Sequence, residues 1–365
     1  MISLYIHIPF CKKKCRYCDF VSYECALHNA DSYIDALLNE ARLYSSEQVA
    51  TAFIGGGTPS LLSVQQLNRL VCGLKRILDF SCCTEFTIEA NPDSLTEEKL
   101  DKYKELGINR LSIGLQSTLE SELKLLGRIH TFKQFVEIYN ISQKYFDNIN
   151  VDLISALPNQ TINDFSVSLS RVVDLSPAHI SVYSLIPEEG TPLYEDICCG
   201  NLNILNEDTD RDIYAYTGEF LRQKGYGRYE ISNYSKRGFE CKHNLTYWTG
   251  KDYVGLGCAA HSLYNGERSD HTANIEEYIS TPEPQNFQKL TDQDIYEEYI
   301  MLRLRLIDGF DLCEFKSIFG YDFYLAKQSI INELMSMNLV KIRNGRFMLS
   351  DKGLDVCDSI VIKLI

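Results

Sequence analysis

Short apolar runs alternate with longer stretches of helical spacing along the first half of the chain, and the alternation repeats six times. The runs fall at Leu4–Ile8, from Thr51 to the glycines at Gly55, and at Glu85–Ala90, Arg110–Leu115, Asn148–Ile154 and His179–Ile186. Between them, Asp31 to Ser45 carries Tyr33, Ile34, Leu37, Leu38 and Ala41 at intervals that share one face of a helix. Similar spacing predicts helices over Ser63–Leu78, Thr96–Leu106, Phe132–Tyr145 and Thr161–Val173. Asp31 or Ser32 is expected to cap the first helix, and Ser63 the second. Strands that alternate with amphipathic helices imply a parallel sheet, and right-handed crossovers would curl it into a barrel or an open partial barrel. Six units fall short of the eight of a closed barrel. Periodicity alone does not separate a partial barrel from a doubly wound sheet.

Beyond the sixth run, Asn206–Gln223 is again helical, and residues 225–261 are rich in glycine and tyrosine. Composition turns loop-like around residues 272–287, so two domains are expected, 1–275 and 276–365. The second reads as a small helical unit in which residues 339–353 form helix, hairpin and helix, a winged-helix-like pattern.

The 365 residues carry a formal charge of −14, which argues against broad nucleic-acid binding. Lys12, Lys13, Lys14 and Arg16 form a local basic exception. No secretory signal or membrane-length apolar run is visible, and thirteen cysteines do not suggest a disulfide framework. A cytoplasmic location is therefore expected. Cys25, Cys72, Cys82, Cys83, Cys198, Cys199, Cys313 and Cys357 are expected to be small buried or incidental residues.

In parallel sheets ligands gather at the carboxyl ends of strands, and the distinctive residues of this chain fall there. The first strand leads into Cys11, Cys15 and Cys18, spaced CxxxCxxC, with Phe20 where a fourth cysteine could stand. Three thiolates suit a [4Fe–4S] cluster that keeps one iron open. A closed zinc site using His7 is the alternative, but no matching second ligand pair is present.

The CxxxCxxC loop after a first strand resembles the radical S-adenosylmethionine (SAM) superfamily. The resemblance implies an α/β fold, an open (β/α)6 partial barrel, in which the free iron binds SAM. It further implies that Gly56, Gly57 and Thr58, in the strand-end run Gly55-Gly56-Gly57-Thr58, contact SAM. The same holds for Glu89, Gln116, Arg128 and Asp152, each at or just beyond a strand end, and for the aromatic Tyr5 and Tyr17. His7 and Pro9 are expected to shape the loop.

Cys241 to Trp248 contains His243-Asn-Leu-Thr-Tyr247-Trp248 and the only tryptophan of the chain. A histidine beside aromatics is by default a packed loop residue, but HNxxYW resembles the HemW-like branch of the oxygen-independent coproporphyrinogen III oxidase (HemN-like) family. That branch implies haem as a further cofactor, with His243 as its ligand, and a chaperone that passes haem to an acceptor protein. The other member class is the coproporphyrinogen III dehydrogenase of porphyrin biosynthesis. Phe20, the early first strand and HNxxYW favour the chaperone branch, and no catalytic side chain is assigned. A reductant, a homodimer and peripheral membrane association through the acceptor are carried as expectations.

Overall fold

The protein is described by a computed structural model covering residues 1–24 and 26–365; the expectation for Cys25 lies outside the described residues. Six strands, β1 (Ile2–Ile8), β2 (Val49–Gly56), β3 (Glu85–Ala90), β4 (Arg110–Gln116), β5 (Ile149–Ser155) and β6 (His179–Ser184), pair in sequence order, all parallel. Helices Ala30–Ala41, Val64–Ile77, Glu97–Glu105, Phe132–Ser142 and Ile162–Asp174 connect them. This is the α/β partial barrel expected.

Alternation along each strand sorts two environments. In β1, Leu4, Ile6 and Ile8 join the buried core beneath the helices, together with Ile54, Ile88, Ile113 and Val151. Each such side chain contributes about 1.5–3 kcal/mol on burial. The intervening positions line the bore and are largely polar: Ser3, His7, Thr51, Glu85, Thr87, Arg110, Ser112, Asn150, His179 and Ser181 are all buried. A polar bore inside an aliphatic wall is a place for bound groups.

The capping chemistry is as predicted for Val64–Ile77, where Ser63 and Gln66 form a reciprocal capping box. The helix expected to start at Asp31 or Ser32 begins instead at Ala30, because a 3-10 turn over Ala26–Asn29 runs directly into it.

The sheet extends further than the sequence suggests. Two short strands, β7 (Gly227–Arg228) and β8 (Asn233–Ser235), add antiparallel to β6. On the other edge, β9 (Tyr253–Leu256) pairs parallel with β1 and leads into the antiparallel β10 (His261–Tyr264), β11 (Glu267–Asp270) and β12 (Gln285–Lys289). The stretch expected to be loop-like therefore ends in a sheet strand. Its polar residues, Gln285-Asn-Phe-Gln-Lys289, are mostly exposed on an edge, where strands read as loops.

A second core, from Tyr296 to Leu364, is built on Phe310, Phe315, Phe323 and Phe347. It includes the hairpin of β14 (Val340–Arg343) and β15 (Arg346–Leu349), to which β13 (Phe310–Asp311) adds. It meets the barrel where Arg305 lies 5.7 Å over the Trp248 ring and the Ile307 amide donates to the Tyr229 carbonyl at 3.1 Å. Cys82, Cys198, Cys199 and Cys313 are exposed, so of the two expectations for these cysteines they are incidental rather than buried. Among the described residues, no helix is long and apolar enough to cross a membrane.

Candidate functional site

A cavity of about 560 Å³ opens at the carboxyl ends of the strands. It is lined by Cys11, Cys15, Cys18 and Tyr17 from the first loop, Gly56, Gly57 and Thr58 from the second, and Glu89, Gln116, Arg128 and Asp152. These residues come from every strand end between β1 and β5, so the sheet alone brings them together.

The cysteine loop is tied at both ends. Phe10–Cys11 pairs with Tyr23–Glu24, and the Lys14 amide donates to Glu24 at 2.6 Å. The Arg16 amide donates to the Leu126 carbonyl at 3.0 Å, and the Arg16 side chain pairs with Asp196. His7 shapes the loop as expected: its Nε2 lies 2.8 Å from the Val21 carbonyl and its Nδ1 3.0 Å from the Tyr5 hydroxyl. Both nitrogens are therefore engaged, which removes His7 from any zinc set.

Two glycines are dictated by close approach. A Cβ on Gly57 would stand 2.8 Å from the Phe10 carbonyl and 3.1 Å from the Cys11 sulfur. One on Gly114 would stand 3.0 Å from the Gln116 amide nitrogen. Both are positions where backbone must run hard against the site.

A polar chain joins two of the cysteines. Cys11 Sγ lies 3.6 Å from the Thr58 hydroxyl, which accepts from Asn91 Nδ2 at 3.0 Å. Arg128 Nη2 donates to Asn91 Oδ1 and to the Gly114 carbonyl, both at 2.7 Å, while Nη1 donates to Cys15 Sγ at 3.5 Å. Arg128 Nε is buried with no partner among the described residues. Burial pushes the Cys18 thiol up to about 11. Among the described residues, no three His, Cys, Asp or Glu side chains close tightly enough to hold one metal ion. Three thiols around one cavity, with an arginine and a carboxyl pair facing it, fit a multi-iron cluster and a zwitterionic ligand.

Glu89 and Asp152 supply the carboxyls. The Gly56 amide donates to Glu89 at 3.2 Å; Ser112 and Asn150 donate to Asp152 at 3.0 and 2.7 Å. Burial, reinforced by the Asp152 charge, raises Glu89 to about 8. Between the ordinary carboxylate range and pH 8 the folded chain thus holds a proton that the unfolded chain has lost. Rising pH through that window costs stability. Glu89→Gln is expected to flatten this part of the pH–stability curve, as urea midpoints between pH 5 and 9 would show.

Tyr5 and His243 are not brought to the cavity wall. Tyr5 stands in the bore, its ring 6.2 Å from Phe53. His243 belongs to helix Lys242–Trp248, which packs on Ser3, Thr51 and Glu85 of the bore, and is 1% exposed. Its ring stacks on Phe53 at 5.2 Å. Thr51 donates its proton to Ser3 at 2.8 Å and lies 2.8 Å from His243 Nδ1, so Nδ1 carries the imidazole proton. Nε2 then accepts from the Tyr247 hydroxyl at 2.9 Å. Burial, with Arg110 adding, lowers His243 to about 3 and keeps it neutral. The Nε2 lone pair, which an iron would need, is held by Tyr247. Glu85, which the motif gives no hint of, anchors this helix: it accepts the amides of Lys242 and His243 at 3.0 and 2.9 Å. Asn91 was likewise not singled out, although it follows Glu89 by two residues on the same strand end.

Comparison with known proteins agrees with this geometry. Residues 5–172 match the radical SAM superfamily and residues 290–356 the HemN C-terminal domain. A protein of Lactococcus lactis named heme chaperone HemW is 34% identical over 100% of this chain and 97% of its own length. Its Bacillus subtilis counterpart is 35% identical over 97% and 96%. The solved Escherichia coli coproporphyrinogen III oxidase (HemN), a radical SAM enzyme, superposes with a TM-score of 0.88 at 24% identity, over 100% of this chain and 89% of that one. With a barrel of this topology and relatives matched from end to end, the chain belongs to the HemW family of the radical SAM superfamily.

Proposed function

We propose that the chain is a haem chaperone that carries a SAM-ligated [4Fe–4S] cluster and passes haem to an acceptor protein. The observation that supports this most is the convergence of Cys11, Cys15 and Cys18 with Glu89, Gln116, Arg128 and Asp152 on one cavity. The relatives named for haem carriage match along their full lengths.

In this proposal the three thiolates hold the cluster, and Arg128, already 3.5 Å from Cys15 Sγ, balances their charge. Glu89 and Asp152 face the positive part and hydroxyls of SAM; a bound cation returns Glu89 to its ionised form. Gly56, Gly57 and Thr58 bring backbone close to the ligand, Gln116 offers an amide, and Tyr17 packs alongside. Tyr5 acts from the bore, through His7 and the loop that it steadies. When bound, the cluster and SAM supply reductive carbon–sulfur cleavage, chemistry that belongs to the cofactors and draws on an external reductant.

The HemN likeness raises oxidative decarboxylation of coproporphyrinogen III as the competing activity. Phe20, exposed at the cavity edge, stands two residues beyond Cys18, where the dehydrogenase pattern has a further cysteine. Anaerobic hemin titration of cluster-loaded protein, followed at the Soret band, is expected to show saturable one-to-one binding with no turnover of coproporphyrinogen III. Turnover without saturable hemin binding would reverse the assignment.

A further inference from the structure

The volume of the cavity constrains where a haem can sit. A pocket that buries one drug-sized ligand spans about 300–1,000 Å³. At about 560 Å³, this one is the size that a single such ligand fills. In the bore below, the histidine of helix Lys242–Trp248 has both ring nitrogens engaged.

The mouth offers a different surface. Phe20 and Ile186 are each 68% exposed and line the same opening; Ile129, 43% exposed, lies beside Lys12 and Lys13 on its adjoining wall. Single exposed apolar residues are ordinary, but an aromatic and an isoleucine at one opening, with a second isoleucine in the small pocket that shares Lys13, Cys15 and Arg128 with it, mark a binding surface. The lysines belong to the basic run Lys12-Lys13-Lys14 in a chain of net charge −14. Asp93 stands 3.9 Å from Lys12, and Asp19 and Glu188 also reach the cavity, so the rim is mixed, with lysine on the side of Ile129. Flat apolar faces with carboxylates at one edge are what such a rim matches.

We propose that haem docks on the rim of Phe20, Ile129 and Ile186, with its carboxylates toward Lys12 and Lys13, and that His243 does not hold it. This rests on the haem-carrier function above and places the haem outside the bore, over the mouth through which SAM enters. Bound haem then slows SAM exchange.

Phe20→Ser with Ile186→Ser separates the possibilities, since both side chains are exposed and their loss spares the core. In cluster-loaded protein the double variant is expected to bind hemin about ten- to a hundred-fold more weakly, as the loss of two apolar contacts predicts. Iron content and SAM binding stay unchanged. His243→Gln is expected to keep wild-type hemin affinity, and hemin to slow the release of labelled SAM in the wild type. Normal hemin binding by the double variant overturns the rim assignment and leaves that surface to a protein partner. Loss of binding in His243→Gln alone moves the haem to the bore. Wild-type protein with no saturable hemin binding refutes the haem-carrier function itself, a separate outcome.

Discussion

Replacing Cys15 by alanine is expected to abolish the cluster. Of the three thiols, Cys15 is the one that accepts from Arg128, so its loss removes a ligand and leaves the guanidinium facing an apolar stub. An open-iron cluster has no spare protein ligand, and two thiolates do not retain it. Anaerobic reconstitution should return near-zero iron and sulfide and no brown absorbance. SAM affinity should fall with it, because the ligand loses its iron anchor. Unchanged iron content and spectrum would refute the ligand assignment. The fold itself should survive, because the loop is held independently through Glu24, Leu126 and Asp196.

The second large effect concerns stability. Glu85→Ala is expected to destabilise the barrel by about 3–5 kcal/mol, the range for breaking a buried charge constellation. Glu85 is buried, accepts the Lys242 and His243 amides and the Cys241 thiol, and its charge offsets that of the buried Arg110. Alanine leaves two backbone donors and a guanidinium without their counterpart in a low-dielectric bore. Urea unfolding measures the loss directly. A change below about 1 kcal/mol, the scale of a surface ion pair, would mean that the helix is not held there.

Much of the barrel was legible because its signals are local. Apolar runs ending in Gly57, Pro92 or the cysteine loop placed β1 to β6 within a few residues, and Ser63 announced its helix by side-chain chemistry. Placement of polar residues at strand ends was legible for the same reason, since a parallel sheet turns sequence order into spatial adjacency. The bore was not. Glu85, Thr87 and Glu89 alternate with apolar neighbours, yet in sequence they look like one ordinary amphipathic strand. Only the curled sheet makes their shared face an interior. His243 illustrates the same limit. Beside Tyr247 and Trp248 it looks like an available ligand, and only the fold shows Thr51 and Tyr247 holding its two nitrogens. The edge strand Gln285–Lys289 stayed hidden because an exposed polar strand carries little periodicity.

Trp248 gives the molecule a built-in optical reporter. As the only tryptophan, under Arg305 at the seam between barrel and second core, it makes selectively excited tryptophan emission a signal from that single junction. If the two cores part, the indole meets water and its emission moves to the red, with no label attached. The state of the seam can therefore be followed in the unmodified chain while cofactors are added one at a time.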